Sequence, residues 1–287
     1  MTMTRTSDDF RILTAAGGYS VADLIERAQS LFSGTPSVGV VIGTYAAVPY
    51  IHLQLEARRR FYPQIPLLVH DDASAEGGGL ARLCAEYGCE FERNEFRLPP
   101  CIGDVSAFLG GLLWARSEGL DLLVKMSRRF LPLEGWVSGL QGLATESQYA
   151  TYCSHTESFG FGFRSECVGM AVREWFAHRL HHDLAVVALE PGEPFVEGLI
   201  HDFARRLARF RCERARRWDE EQGPRPSDRD GYAPWPFMGT DRCVRYPQFL
   251  WHDSATPEDY HRVAVSWGLD YSLDDFQDPN QGAGNGT

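Results

Sequence analysis

Lysine is almost absent from this sequence. Among its 287 residues the basic side chains number 28, and all of them are arginine except Lys125. Any phosphate contact is therefore expected to use a guanidinium group, which carries a fixed charge and a planar fork of donors. The formal net charge of -11 argues against a protein whose whole surface binds nucleic acid.

Three other features are missing. The seven cysteines include no Cys-x-x-Cys pair. No apolar run reaches the roughly 18 to 20 residues that a membrane span needs, and the polar residues 1–10 contain no apolar core. These absences predict a reduced, cytoplasmic protein with no signal peptide and no membrane span. The hydrophobic content of 44% is enough for a sizeable core.

Three short apolar runs organise the first half of the chain. They begin at Val38, Pro66 and Leu120, and each ends in a polar or glycine-containing turn. Such runs predict strands buried on both faces, and the segments between them have helical spacing. The alternation predicts an α/β fold: a mostly parallel sheet flanked by helices, with a ligand site at the carboxyl ends of the strands.

Periodicity and turn residues predict the remaining elements. The predicted helices are one capped by Ser20, then Tyr50–Phe61, Leu80–Tyr87, Val105–Glu118, Ser165–Leu180, an arginine-rich helix within Pro194–Glu221, and Pro257–Trp267. The predicted shorter strands are Cys89–Phe96, Tyr149–Cys153, Gly160–Phe163 and Gln248–Asp253, and Gln222–Met238 is predicted to be a loop.

These elements suggest four parts of the chain. They are an N-terminal segment and helix (1–36), an α/β half (37–136), a second half of the same domain (137–269) and an acidic, then Gly/Asn-rich tail (270–287). The composition of the tail predicts disorder.

Polar side chains stand at the ends of the first two predicted strands. Thr44 and Tyr45 follow the first, and Asp71 and Asp72 follow the second. A carboxylate at a strand end can accept hydrogen bonds from a nucleobase imide or from ribose hydroxyls, and Thr44 and Tyr45 could sandwich the base. The alternative interpretation is that both aspartates cap the next helix and that Thr44 closes a turn. The sequence leaves both open.

These segments resemble a known family. Val40–Tyr45, followed one helix later by Leu67–Ser74, is similar to the family-2-like glycosyltransferases of the GT-A fold, in which one strand ends in Pro-Thr-Tyr and the next in Asp-Asp-Gly-Ser. The resemblance covers roughly residues 38 to 136, and Gly43 stands where the family usually has proline. It implies a GT-A-like fold and a nucleoside diphosphate sugar as donor. It also implies nucleotide-binding roles for Thr44, Tyr45, Asp71 and Asp72.

The end of the third strand departs from that family. Ser127-Arg128-Arg129 replaces an Asp-x-Asp motif that holds a divalent metal against the donor diphosphate. Serine and arginine are poor ligands for Mg²⁺ or Mn²⁺, so these metals are not favoured as cofactors. We expect Arg128, Arg129 or both to stabilise the leaving diphosphate instead. The alternatives are a decayed site or an arginine that points to solvent.

The second half of the chain supplies weaker candidates. His252, in Trp251-His252-Asp253, is expected to contact phosphate, although it could simply pack beside Trp251. A catalytic base should be a carboxylate near the acceptor. The candidates for this base, among which the sequence does not choose, are Glu166, Glu197, Asp202 and Asp241. Asp202 could equally complement a helix dipole.

The predicted function is transfer of a sugar from a nucleoside diphosphate sugar to a hydroxyl of a small-molecule or glycan acceptor, without a metal. One alternative is a transferase whose metal ligands come from Asp71, Asp72 or His252. Another is a non-catalytic nucleotide-sugar-binding or scaffold protein. A nucleic-acid-modifying glycosyltransferase is suggested only by the arginine-rich helix, whose simpler explanation is a charged outer face. Nucleic acid is therefore an unlikely partner, and the oligomeric state is left open.

Overall fold

The computed structural model describes residues 31–147, 150–153, 156–157, 162–163, 166–188, 203, 233–234, 249–250 and 255–277. The helix predicted after Ser20 lies outside the described residues, as do all of the arginine-rich helix except Phe203 and most of the loop predicted at Gln222–Met238.

Strands and helices alternate in the first half of the chain, as the apolar runs predict. The strands are β1 (Val38–Thr44), β2 (Leu67–Asp71), β3 (Glu90–Arg93), β4 (Leu122–Ser127), β5 (Leu131–Pro132), β6 (Thr151–Cys153), β7 (Thr156–Glu157), β8 (Gly162–Phe163), β9 (Cys167–Ala171), β10 (Ala233–Pro234) and β11 (Phe249–Leu250). The helices are α1 (Val48–Phe61), α2 (Gly77–Glu86), α3 (Pro100–Ser117), α4 (Val137–Ser147), α5 (Val172–Ala177), α6 (Leu180–Ala188) and α7 (Pro257–Trp267). No described helix has both the length and the apolar character to cross a bilayer.

One sheet of seven strands has the order β10-β6-β9-β4-β1-β2-β3. The strands β4, β1, β2 and β3 run parallel, so that Val41 is in register with Leu68 on one side and Lys125 on the other. The strand β9 is antiparallel to both β4 and β6. The predicted fold class, an α/β mostly parallel sheet flanked by helices, is confirmed. Strands from both sides of residue 136 belong to this one sheet.

Helix α3 lies directly on β1 because glycines remove the side chains between them. A Cβ on Gly111 would stand 2.6 Å from Cγ1 of Val41, and one on Gly43 would stand 2.9 Å from Cβ of Ala107. Since the central strands are fully buried, the helix can approach only at residues without a side chain. This contact places the N-terminal turns of α3 beside the carboxyl ends of β1 and β2.

The prediction of one helix over Ser165–Leu180 is wrong. Its first part is the strand β9, which is followed by the helices α5 and α6. All five residues of β9 are buried, because the strand lies between β4 and β6. A short run that is apolar on every side fits a buried strand as well as a helix, and the position in the sheet decides.

The C-terminal part of the described chain packs on α1. Helix α7 is confirmed over Pro257–Trp267 and ends at Gly268, whose φ of 76° is left-handed. The acidic stretch predicted to be disordered continues in order to Gln277 and forms a 3-10 helix at Leu273–Phe276, while residues 278–287 lie outside the description. Phe276 is fully buried, and its carbonyl accepts a hydrogen bond of 2.6 Å from the Tyr50 hydroxyl. One aromatic side chain therefore anchors a segment whose composition favours disorder.

Candidate functional site

A cleft of about 330 Å³ opens where β1, β2 and β4 end. The residues that line it are Gly43, Thr44, Tyr45, Asp72, Arg97, Gly103, Asp104, Ser127 and Arg128. Parallel strands finish at one edge of a sheet, so side chains that are far apart in the sequence meet there. Five of the residues predicted for the site line this cleft: Thr44, Tyr45, Asp72, Ser127 and Arg128.

Two arginines hold Tyr45 in the wall of the cleft. The guanidinium carbon of Arg97 lies 3.7 Å from the centre of the Tyr45 ring, and its Nη1 donates a 3.1 Å hydrogen bond to the phenol oxygen. Nη1 of Arg128 donates a 2.6 Å hydrogen bond to the Tyr45 carbonyl. Arg97 forms no ion pair with any residue the structure describes. Two guanidinium groups therefore bring positive charge into one small cleft.

The turn that carries Arg128 is fixed from below by α1. The side-chain amide of the buried Gln54 donates hydrogen bonds to the carbonyls of Ser127 and Arg128, at 2.9 and 2.8 Å. The Ser127 amide in turn donates a 2.7 Å hydrogen bond to the Glu166 carbonyl. The end of β4 is thus held on two sides before any ligand binds.

Asp72 is an oriented carboxylate in the cleft. Its Oδ1 accepts hydrogen bonds from the Asn94 side chain and the Leu98 amide, at 2.9 and 3.1 Å. A Cβ on Gly103 would stand only 2.5 Å from Oδ2 of Asp72, so only glycine fits at position 103 without moving the carboxylate. One oxygen is therefore engaged by the protein, and no described residue donates to the other. The Thr44 hydroxyl is buried nearby and also lacks a hydrogen bond to the described residues.

Lys125 and Asp104 form an ion pair at the base of the cleft. Lys125 lies in the middle of β4 and is 1% exposed, and its Nζ donates a 2.6 Å hydrogen bond to Oδ2 of Asp104. The sequence reasoning missed Asp104, Arg97 and Gly103. A signal for Asp104 was present, because a lysine inside an apolar strand requires a buried counter-charge.

Asp71, unlike Asp72, does not line the cleft and is fully buried. It accepts hydrogen bonds from the amide and the hydroxyl of Ser74, and it forms an ion pair with Arg93 at 3.3 Å. These contacts close the turn before α2, and neither aspartate caps that helix, whose N-cap is Glu76 without a side-chain hydrogen bond. Ala73, between Asp72 and Ser74, has a left-handed φ of 56°.

Arg129 and Glu166 lie beside the cleft rather than in its lining. The Arg129 guanidinium lies 5.7 Å from the centre of the Tyr50 ring. The backbone carbonyl of Arg129 accepts a hydrogen bond from the Tyr260 hydroxyl. Burial raises the pKa of the Tyr260 phenol well above its usual value, and the charges of Tyr50 and Glu166 raise it further. Glu166 is itself buried.

Four predicted site residues lie outside the described residues: Glu197, Asp202, Asp241 and His252. Within the described ranges, no three His, Cys, Asp or Glu side chains are grouped so that they could hold a metal ion.

No protein-family model matches this sequence, and no curated protein matches it. Solved structures with a similar fold include the glycosyltransferase GlyE of Streptococcus pneumoniae, which is 10% identical with a TM-score of 0.46 and covers 71% of this chain. The chain spans only 46% of GlyE. TarS of S. aureus in complex with UDP is 10% identical with a TM-score of 0.46 over 84% of this chain and 68% of TarS. A cytidylyltransferase of Leptospira borgpetersenii is 10% identical with a TM-score of 0.40, over 83% of this chain and 98% of that protein. Similarity at this level does not establish a shared activity.

Proposed function

We propose that this protein binds a nucleoside diphosphate sugar in the cleft and transfers the sugar to an acceptor hydroxyl. The observation that carries the proposal is the joint presence of Arg97, Arg128 and Asp72 at the carboxyl ends of neighbouring parallel strands. Guanidinium groups suit a diphosphate. The oriented oxygen of Asp72 and the Thr44 hydroxyl suit the hydrogen-bonding groups of a nucleoside.

In this proposal arginine does the electrostatic work at the leaving group. Departure of a nucleoside diphosphate concentrates negative charge on its phosphates, and preorganised positive charge lowers that barrier. Arg128 is preorganised, because its own side chain bonds to Tyr45 and because Gln54 holds its backbone. Arg97, without an ionic partner among the described residues, is the second source of charge.

The described residues do not fit the divalent-metal site that the family resemblance implies. Ser127 and Arg129 offer no carboxylate at the end of β4, and of the two carboxylates that line the cleft, Asp104 is bonded to Lys125. A metal ion prefers carboxylate oxygens, and the ammonium group beside Asp104 and the guanidinium groups of Arg97 and Arg128 in the same cleft oppose a further cation. We therefore propose a metal-independent reaction. The candidates for the base remain Glu166, Glu197, Asp202 and Asp241, and His252 remains a candidate phosphate contact.

Isothermal titration with UDP and GDP, in EDTA and in Mn²⁺, tests the binding step. We expect at least one nucleotide to bind with the same Kd in both buffers. Binding that requires Mn²⁺ would contradict metal independence, and failure of both nucleotides to bind would contradict the nucleotide site.

Turnover needs a separate measurement. Nucleotide sugars that raise the melting temperature are selected first, because a ligand bound only by the folded state must stabilise it. The release of nucleoside diphosphate from these donors, with water as acceptor, is then followed over time. We expect release by the wild-type protein. A donor that binds and is never cleaved would indicate the non-catalytic binding protein instead.

A further inference from the structure

The only lysine of the chain lies in the centre of the sheet. Lys125 is on β4, in register with Val41 of β1 and Val168 of β9, and its side chain is 2% exposed. An ammonium group among apolar strands is destabilising unless a counter-charge meets it. Asp104 on α3 provides that charge at 2.6 Å. The pair therefore joins the first turns of α3 to the strand that ends at the cleft.

Asp104 is the member of the pair that faces the cleft. Its side chain is 29% exposed and lines the cleft, and only its Oδ2 is bonded to Lys125. No described residue donates a hydrogen bond to Oδ1, which lies 3.6 Å from the position of a Cβ on Gly43, at the end of β1. The lysine thus holds one carboxylate oxygen in place and leaves the other to accept from a ligand.

Asp104 and Asp72 form a pair of acceptors in the cleft. Gly103, the residue before Asp104, lies against the Asp72 carboxylate. Each carboxylate has one oxygen bonded to the protein and one without a donor among the described residues. Two such oxygens suit a ligand part that carries hydrogen-bond donors and repel a phosphate. In a nucleoside diphosphate sugar, such donors are the ribose hydroxyls, the imide or amide N–H of some bases, and the hydroxyls of the transferred sugar. UDP, which lacks that sugar, therefore tests the nucleoside alone.

Lys125 also makes a second carboxylate compatible with an anionic ligand. Of the residues that line the cleft, Arg97 and Arg128 are positively charged and Asp72 and Asp104 are negatively charged. The ammonium group of Lys125 at 2.6 Å offsets the charge of Asp104, so that carboxylate repels a diphosphate less.

Resting on the proposed function, we propose that Asp104 is a nucleoside-binding residue and that Lys125 is the positioning residue that holds it. The ligand group is a hydrogen-bond donor of the nucleoside, either on the base or on the ribose. Asp104→Asn tests this, because the amide keeps an acceptor for Lys125 and turns a donor toward the ligand.

The titration compares UDP, CDP and 2′,3′-dideoxy-UDP, in EDTA, for the wild type and Asp104→Asn. CDP lacks the imide N–H of the base, and the dideoxy compound lacks the ribose hydroxyls. We expect Asp104→Asn to weaken UDP binding by about tenfold or more. We also expect one of the two discrimination ratios, UDP over CDP or UDP over dideoxy-UDP, to fall toward one, which identifies the contacted group.

The matched control is Glu118→Gln, which removes the same charge from the exposed C-terminal end of α3 and should leave both ratios unchanged. Ratios that are the same in Asp104→Asn and the wild type would overturn the role of Asp104. If the wild type binds neither these three ligands nor GDP, the proposed function fails first and this inference fails with it. If it binds GDP alone, GDP and 2′,3′-dideoxy-GDP take the place of the uridine ligands in the same comparison.

A spectroscopic test of Lys125 needs no substitution. Protein labelled with ε-¹³C-lysine has one labelled side chain, so its NMR signal is assigned without further work. We expect this signal to shift on titration with UDP, because the ligand bonds to the carboxylate that Lys125 holds. The Kd obtained from the shift should equal the Kd measured by calorimetry. A signal that stays in place at UDP saturation would overturn the positioning role.

Discussion

At the scale of single residues, the proposed function makes Arg128 the side chain on which we expect nucleotide binding to depend most directly. We predict that Arg128→Gln weakens UDP binding by about tenfold or more, because a charge-assisted hydrogen bond is lost. Uridine, which has no phosphate, should bind equally to both proteins. Calorimetry with the two ligands measures this.

The control is Arg82→Gln on α2, since Arg82 is exposed and outside the cleft lining. An equal loss of UDP and uridine affinity in Arg128→Gln would show that the arginine shapes the cleft rather than binds phosphate.

Ala73 is a residue in an unfavourable backbone conformation. Its φ of 56° lies in the left-handed region, where a Cβ is disfavoured by roughly 1–2 kcal/mol. We predict that Ala73→Gly stabilises the protein by about 0.5–1 kcal/mol after the greater freedom of unfolded glycine is subtracted. Urea unfolding measures it. Ala81→Gly, inside α2, should have the opposite sign, and a loss of stability in both variants would contradict the prediction.

At the scale of elements, the sequence predicts what depends on local pattern. The runs starting at Val38, Pro66 and Leu120 locate the parallel strands, and the residues after them locate the cleft. The local pattern predicts a helix where β9 forms, because the burial of this strand comes from β4 and β6, which are distant in the sequence. Asp104 and Arg97 were missed because their approach to the cleft depends on where α3 lies on β1.

That position of α3 leads to a prediction about Gly111. A methyl group there would meet Val41 at 2.6 Å on a fully buried strand. We predict that Gly111→Ala destabilises the protein by about 1–3 kcal/mol, because overpacking forces the helix and the strand apart. The midpoint of urea unfolding is the measurement.

Gly142→Ala, on α4, is the matched control. Apart from the adjacent residues and backbone of α4, no described atom lies within 4 Å of its added Cβ, so the higher helix propensity of alanine should stabilise the protein by up to about 1 kcal/mol. If Gly111→Ala were as stable in urea as Gly142→Ala, α3 would be free to shift on the sheet, which would contradict the prediction.

At the scale of the whole molecule, His52 connects three parts of the chain. On α1, its Nδ1 lies 2.8 Å from the Tyr271 hydroxyl, and its Nε2 lies 2.9 Å from the Tyr87 hydroxyl. Burial lowers the pKa of His52 below its ordinary value of 6.5, although the Glu56 and Glu86 carboxylates oppose this. The neutral ring is therefore the form that the folded state prefers.

The sign of the pH dependence follows from that shift. The unfolded chain takes up a proton near pH 6.5 more readily than the folded protein does, so this contribution to stability is complete above about pH 6.5 and declines as the pH falls below it. We predict that the stability advantage of the wild type over His52→Gln shrinks between pH 7.5 and pH 5.5. Urea unfolding of both proteins at the two pH values measures it, and an advantage that grows on acidification would contradict it.

The solitary lysine has one more consequence. A lysine-specific endoprotease has a single peptide bond to cut in this chain, and that bond follows Lys125 in the central strand of the sheet. Cleavage requires the strand to leave its neighbours, so the intact protein should resist, and each opened molecule should yield the same two fragments. The yield of those fragments would count global opening events directly.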